Sequence, residues 1–148
     1  MRAVVQRVSA ARVRVDDRLV GAIRRGLLVL VGIASNDTTA EVDWLLDKIV
    51  NLRIFENELG KFDKSLTDIH GELLLVSQFT LLADTRKGRR PSFTDAARPE
   101  QAVALYEHLL QRAREHGVTT ASGAFGAHMQ VELTNDGPVT ILLDSKDR

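Results

Sequence analysis

Three polar side chains, Ser77, Gln78 and Thr80, interrupt an otherwise apolar stretch of the sequence. Four aliphatic residues (73–76) lead into them, and Leu81-Leu82 follows. A short apolar run of this kind is typical of a strand that is buried on both faces. An unpaired hydroxyl or amide inside such a strand costs about 1–3 kcal/mol. The polar groups therefore either bond neighbouring backbone at the end of the strand or line a functional site.

The chemistry best suited to these residues is stabilisation of developing negative charge. A threonine hydroxyl such as that of Thr80 attacks only when a base removes its proton, and the stretch contains no histidine or carboxylate. The sequence also lacks the Gly-x-Ser-x-Gly pattern of a nucleophile elbow. A bend in the strand would offer backbone N–H groups, the Gln78 amide and the Thr80 hydroxyl to an oxyanion. Such a site suits a substrate that carries its own activating hydroxyl.

A second distinctive segment, Asn135-Asp136-Gly137-Pro138, lies between two β-rich runs. Asparagine, aspartate, glycine and proline in succession favour a plain hairpin turn. A proline directly after glycine can also take a cis peptide bond at small cost, which would direct two carbonyl groups unusually. Composition alone favours the plain turn.

A third segment, Arg86-Lys87-Gly88-Arg89-Arg90, places four cations in five positions soon after the apolar stretch. Such a run is usually a solvated loop, and contact with phosphate is the alternative. The whole chain has twenty basic and twenty acidic residues, which argues against holding long nucleic acid through bulk charge. No histidine pair has zinc-ligand spacing with a carboxylate on one face, so we predict no metal site and no cofactor.

Composition restricts the class of protein further. The 148 residues include no cysteine, which excludes disulfides and thiolate chemistry and is compatible with a reducing compartment. The first eight residues become charged after two valines, unlike the core of a signal peptide. No apolar run approaches the roughly 18 residues of a membrane span. We therefore expect one soluble, cytoplasmic domain that spans residues 1–148.

Strands and two amphipathic helices must position these segments. The pattern predicts a first helix at residues 38–51, opened by a Thr38/Glu41 capping box, and a second at 99–116, ended by Gly117. Residues 56–70 have loop composition. Strands are predicted at residues 2–8, 11–15, 19–23, 27–33, 52–55, 73–82, 128–133 and 139–143. This order indicates an α+β domain of largely antiparallel or mixed sheet with both helices packed on one side.

Two of the distinctive segments together resemble the signature motifs of the D-aminoacyl-tRNA deacylases. They are Ser77-Gln78-Phe79-Thr80 and Asn135-Asp136-Gly137-Pro138-Val139-Thr140. Residues 1–8, 26–30, 52–55, 87–93 and 123–127 also match, so the resemblance covers essentially the whole chain. Because two separated motifs occur in the right order, the sequence is identified as a member of this family. The resemblance implies a barrel-like, three-layer arrangement of the sheet and helices.

The resemblance also implies a homodimeric hydrolase that cleaves the ester joining a D-amino acid, or glycine, to the terminal adenosine of tRNA. The active site would lie at the dimer interface, with Ser77, Gln78 and Phe79 contacting the substrate. A cis Gly137-Pro138 pair would enter the pocket of the partner, where its carbonyl oxygens would meet the amino acid. An L-side chain would need the volume that this rigid pair holds, so L-aminoacyl groups would be rejected.

Further site residues follow from the same resemblance. Arg7 would support the Gly-Pro segment, although composition alone describes it as an exposed cation on an edge strand. Met129 would flank the adenosine pocket. The cations Arg86, Lys87, Arg89 and Arg90 would contact the tRNA backbone. His128 stands where the family pattern has an acidic residue, so no family role is assigned to it.

Two roles are open to Thr80. It is either the nucleophile, or a positioning group while the 2′-hydroxyl of the terminal adenosine supplies the chemistry. The sequence favours the second role, because no base accompanies Thr80 and the substrate carries a hydroxyl beside its ester. We predict that the Phe79 and Thr80 backbone N–H groups hold the oxyanion and that Gln78 orients the ribose.

Two other classes of protein compete with this interpretation. One is an RNA-end binding module that captures an aminoacyl or nucleotide group without turnover, and the absence of an activated nucleophile favours it. The other is a hydrolase of small esters unrelated to tRNA, which the basic segment disfavours. Neither the preferred amino acid nor the preferred tRNA follows from the sequence.

Overall fold

The computed structural model describes residues 1–148 and contains eight strands and two α-helices. In chain order they are β1 (Arg2–Val15), β2 (Arg18–Ile23), β3 (Gly26–Gly32), α1 (Thr39–Asn51), β4 (Phe55–Glu56), β5 (Phe62–Lys64), β6 (Glu72–Ser77), α2 (Pro99–Glu115), β7 (Thr120–Ser122) and β8 (Gln130–Asp144). Two short 3₁₀ helices, Phe79–Leu82 and Ser145–Asp147, follow β6 and β8.

The long strand β1 organises a six-stranded mixed sheet. Its residues 2–8 pair antiparallel with β3, its residues 11–15 pair with β2, and β8 runs along most of its length on the other side. Strands β3 and β6, and then β6 and β7, pair in parallel. The strand order is β2-β1-β3-β6-β7, with β8 on β1. The predicted α+β domain with a mixed, barrel-like sheet is confirmed.

Both faces of β3 and β6 are buried. Alternate residues point into two different apolar cores, because successive side chains of a strand point to opposite faces. Leu27, Val29, Leu73 and Leu75 belong to the larger core, which also contains the apolar faces of both helices. On the other face, Leu28, Leu74 and Val76 meet residues of β1 and β2. The helices, the β3/β6 part of the sheet and the folded-over β1/β2 part thus form three layers.

Both helices lie close to their predicted bounds. At the start of α1, the Thr38 hydroxyl accepts the Ala40 N–H at 3.2 Å, and the Glu41 carboxylate accepts the Thr38 N–H at 2.7 Å. This confirms the capping box. Pro99 begins α2, and Gly117 follows it with φ of +85°. Neither helix has the length and apolarity that crossing a bilayer requires.

Several predicted boundaries are wrong. The strand predicted at residues 52–55 is the shorter β4, Phe55–Glu56, and three further differences have identifiable reasons. The predicted strand at residues 73–82 ends at Ser77, because the chain turns there into the 3₁₀ helix. The segment predicted as a hairpin turn lies inside β8, since β1 holds the chain on both sides of it. The predicted loop at residues 56–70 contains β5, which pairs with β4 in a small hairpin. The short strand β7 has no predicted counterpart.

Candidate active site

The end of β6 leaves two backbone donors without a partner in the chain. The Gln78 N–H donates to Val31 O at 2.8 Å, and the Leu81 and Ala83 N–H groups donate back into the turn at 3.2 and 3.1 Å. The intervening N–H groups of Phe79 and Thr80 donate to no backbone or side-chain acceptor. Both residues are exposed. The sequence thus places two adjacent free N–H groups where a buried strand reaches the surface.

The side chains of the turn form their own hydrogen bond. The Gln78 carboxamide donates to the Thr80 hydroxyl. That hydroxyl makes no other side-chain hydrogen bond, and no histidine or carboxylate accepts its proton. Gln78 lines the adjacent cavity, whereas Thr80 does not. Within the chain, Thr80 therefore lacks the hydrogen-bonded base that an activated nucleophile requires.

A cavity of about 610 Å³ opens beside these donors. Its volume lies within the range of small-molecule sites, and most of its lining is hydrophobic. The lining side chains come from the β6 turn, the segment that leads into α2 and the segment before β8: Ile33, Val76, Ser77, Gln78, Phe79, Phe93, Ala96, Ala97, Pro99, Ala102, Phe125, Gly126, Ala127, His128, Met129 and Val131. The cavity can therefore hold a flat apolar group next to the free N–H groups.

Tyr106 of α2 supports the wall of this cavity. Its hydroxyl donates to Leu75 O at 2.7 Å, and the Gly123 N–H donates to the same oxygen at 3.0 Å. Its ring packs against Phe125 with the centroids 5.9 Å apart. Burial raises the pKa of Tyr106 to about 12, so the hydroxyl remains a donor at any physiological pH. Helix α2 thus fixes both β6 and the segment before β8.

The basic segment adjoins the cavity through an aromatic contact. Phe79 and Phe93 meet edge to face with their centroids 5.0 Å apart. Between them, Asp84 and Ser92 exchange backbone hydrogen bonds at 2.8 and 3.0 Å, which closes the loop that carries the cations. Arg86 donates to the Asp84 carboxylate at 2.7 and 2.9 Å and holds the pKa of that carboxyl well below its usual range. The Arg86 guanidinium therefore already has a hydrogen-bond partner within the loop.

The Asn135–Val139 segment forms a bulge in β8. Gln6 pairs with Thr140 and Val8 with Asn135, so the residues between them bulge out opposite Arg7. The Asn135 side chain spans the bulge by accepting the Val139 N–H at 2.7 Å. The Gly137-Pro138 peptide bond is cis, and both residues are exposed. Neither lines the cavity of its own chain.

Glycine is required at position 137 by its surroundings. Its φ is +148°, and a Cβ there would lie 2.9 Å from Val139 N and 3.3 Å from Arg7 Nη2. A larger residue would push the guanidinium or the neighbouring backbone away. Gly137 is thus closely packed against Val139 and Arg7.

Arg7 is buried, contrary to the composition-based expectation of an exposed edge cation. It is only 6% exposed. Its Nε donates to Asp136 O at 2.8 Å, and its Nη1 donates to Ile54 O at 2.9 Å. Its Nη2 lies 3.4 Å from the Glu56 carboxylate. The fork of one guanidinium therefore ties the bulge of β8 to the chain beside β4.

Replacing Arg7 with lysine is expected to loosen this connection. Lysine keeps the charge but lacks the planar fork, so it can satisfy only one of the two carbonyls. We expect the free energy of unfolding to fall by about 1–3 kcal/mol, measured by urea denaturation at a fixed protein concentration. Arg12→Lys on the same strand is the control, because Arg12 is half exposed and pairs only with Glu132. Equal losses in both variants would contradict a special role for Arg7.

Twelve of the sixteen residues that line the cavity were absent from the sequence-based site, among them Phe93, Phe125 and His128. The two aromatic residues lie far apart in the sequence. Helix α2 positions Phe125 through Tyr106, and the closed basic loop positions Phe93. His128 is the single titratable side chain among the lining residues. Its position next to Met129, a predicted site residue, was the signal in the sequence that could have identified it. Of the predicted residues, Ser77, Gln78, Phe79 and Met129 come together, whereas Gly137, Pro138 and Arg7 form a separate group.

The fold and the site define a class of protein: a small α+β domain in which two free backbone N–H groups lie beside an apolar cavity. The sequence model of the D-Tyr-tRNA(Tyr) deacylase family matches residues 4–144. The chain belongs to that family.

Relatives of known name agree with this assignment. A protein of Clostridioides difficile (strain 630), named D-aminoacyl-tRNA deacylase, is 61% identical over 145 residues, which cover 98% of this chain and 97% of that protein. A relative of the same name from Thermotoga petrophila is 59% identical with the same coverage. Both alignments extend over nearly the whole of each chain.

Two solved structures have the same fold. One, named c-Myc DNA Unwinding Element Binding Protein, superposes with a TM-score of 0.92 at 46% identity and covers 98% of this chain and 99% of its own. The other, described as a probable eukaryotic D-amino acid tRNA deacylase, gives a TM-score of 0.81 at 20% identity over 96% of this chain and 97% of its own. At that identity, the second likeness supports the fold alone.

Proposed function

We propose that this protein hydrolyses the ester bond of D-aminoacyl-tRNA and releases tRNA and the free D-amino acid. Family membership supports the reaction. The observation that carries the proposal is the pair of free backbone N–H groups at Phe79 and Thr80 beside an apolar cavity. Ester hydrolysis develops negative charge on the carbonyl oxygen, and two aimed N–H donors stabilise that charge. A tRNA substrate also implies that the protein acts in the cytoplasm.

The cavity receives the terminal adenosine in this proposal. Phe79, Phe93 and Phe125 offer aromatic surfaces to a purine, and Met129 offers a polarisable thioether that adapts to a flat ring. Ser77 and Gln78 supply polar groups at the same wall, where Gln78 orients the ribose. The 2′-hydroxyl of that ribose then lies beside the ester and assists its cleavage.

The Gly137-Pro138 pair acts on a second copy of the chain. It projects from β8 into solvent and lies outside its own cavity, as expected of a group that completes the site of a partner. Two apolar side chains of the same sheet are also exposed: Leu142 of β8 by 75% and Leu19 of β2 by 56%. A homodimer would bury them. The rigid pair would then exclude an L-side chain, and glycine, which has none, would be accepted as glycyl-tRNA(Ala).

The basic loop contacts the tRNA backbone through only some of its cations. Arg86 is held by Asp84, whereas Lys87, Arg89 and Arg90 are exposed and form no ion pair. We expect Arg89→Ala/Arg90→Ala to weaken tRNA binding several-fold and to lower the slope of log K against log salt by about 1–2. Arg86→Ala is the matched control, with little effect on the slope. If the double variant leaves the slope unchanged, the loop is merely solvated.

The proposed activity is tested by incubating the purified protein with D-tyrosyl- and L-tyrosyl-tRNA and following release of the free amino acid. Release from the D-substrate alone is the expected result. Tight binding without release would identify an RNA-end binding module. Equal cleavage of D-tyrosyl-tRNA and of a small D-tyrosyl ester would identify a hydrolase that does not use the tRNA.

A further inference from the structure

The hairpin of β4 and β5 is joined to the bulge of β8 as one unit. Arg7 makes the connection, because its guanidinium binds Asp136 O in the bulge and Ile54 O just before β4. It also lies over the Phe62 ring of β5, with its central carbon 5.6 Å from the ring centroid. Arg7 therefore contacts both the bulge that carries Gly137-Pro138 and the β5 residue Phe62.

Phe62 is a large apolar side chain that is more than half exposed. Its exposed fraction is 54%, although the burial of aromatic surface is favourable. The guanidinium that its ring contacts lies 3.3 Å from the place of a Cβ on Gly137. One guanidinium therefore contacts the Phe62 ring on one side and lies against Gly137 of the projecting pair on the other.

We propose that Phe62 of one subunit contacts the side chain of the D-amino acid bound in the partner subunit and so favours aromatic and large apolar D-residues. This inference rests on the proposed function, in which Gly137-Pro138 enters the partner's site. That pair occupies the volume of an L-side chain, so a D-side chain is directed elsewhere around the same carbon. Phe62 is the nearby exposed aromatic surface on the inserted unit.

The test compares D-tyrosyl-tRNA with D-alanyl-tRNA in the full-length protein. Phe62→Ala is expected to lower kcat/KM for D-tyrosyl-tRNA by about three- to tenfold, which corresponds to the contribution of one aromatic contact. The value for D-alanyl-tRNA is expected to stay within about twofold. Phe62→Trp is expected to retain the preference. Leu59→Ala is the matched control, because Leu59 lies in the loop of the same hairpin and is 79% exposed.

Three outcomes are distinguishable from the expected one. An equal fall for both substrates in an intact dimer would make Phe62 a mere support for Arg7 and would overturn the inference. A shift toward monomer in sedimentation, with the substrate preference unchanged, would make it only a dimer contact and would also overturn it. If the unaltered protein releases no amino acid from either substrate, the proposed function fails, and this inference fails with it.

Discussion

Removing the Thr80 hydroxyl is expected to leave most of the deacylation, whereas removing the 2′-hydroxyl of the terminal adenosine is expected to abolish nearly all of it. The Thr80 hydroxyl accepts a hydrogen bond from Gln78 and has no base, so Thr80→Ala should lower kcat by about tenfold at most. A neighbouring hydroxyl that assists the reaction contributes about 10²–10⁴-fold. Single-turnover release from D-tyrosyl-tRNA with a normal or a 2′-deoxy terminus measures both effects.

Thr80→Pro is the informative companion variant, because it removes the Thr80 backbone N–H as well as the hydroxyl. Its activity should fall much further than that of Thr80→Ala, provided that circular dichroism shows the same fold. His128→Ala controls for the one titratable side chain in the cavity and should retain activity. Loss of activity in Thr80→Ala, together with normal cleavage of the 2′-deoxy substrate, would establish threonine as the nucleophile and contradict our proposal.

Truncating Pro138 is expected to relax the discrimination between D- and L-aminoacyl-tRNA. The proline ring is rigid, exposed and positioned by a bulge that Asn135 and Arg7 hold. Pro138→Ala removes ring atoms from the volume that an L-side chain would need. Pockets that exclude one or two carbon atoms discriminate by about 10–200-fold, so cleavage of L-tyrosyl-tRNA should rise at least about tenfold while cleavage of the D-substrate changes less.

Thr134→Ala is the control for this experiment, because Thr134 is exposed on the same strand and pairs with Ala10 outside the Asn135–Val139 segment. It should leave both rates unchanged. The variants should be compared above the concentration at which the protein dimerises, so that a lost interface is not mistaken for lost selectivity. An unchanged ratio of D- to L-cleavage in Pro138→Ala would refute steric exclusion by this pair.

Local signals were sufficient for the helices and the central strands. The Thr38/Glu41 box and the period of the apolar residues predicted α1 almost to the residue, because capping and amphipathicity act within a few residues. The apolar run of β6 predicted a strand buried on both faces, and the two cores on either side of it agree. Such features depend little on contacts with residues that are distant in the sequence.

Long-range pairing explains what the sequence did not reveal. Asn135-Asp136-Gly137-Pro138 has turn composition, yet β1 pairs with the chain on both sides of it and converts the turn into a bulge. Composition describes Arg7 as an exposed edge cation, but in the fold it donates to two carbonyls that are distant in the sequence. The free N–H groups at Phe79 and Thr80 depend on how β6 meets its turn, which side-chain patterns describe only as a polar interruption.

The free donors belong to the main chain, and this has a consequence for how the protein tolerates change. Substitution of Phe79 or Thr80 by any residue except proline keeps the N–H group. A library of single substitutions would therefore find few inactive variants at Thr80, whose side chain does not line the cavity, and the strongest losses would map to residues that hold the turn in place. Tolerance at a site would here be a sign of chemistry carried out by the backbone.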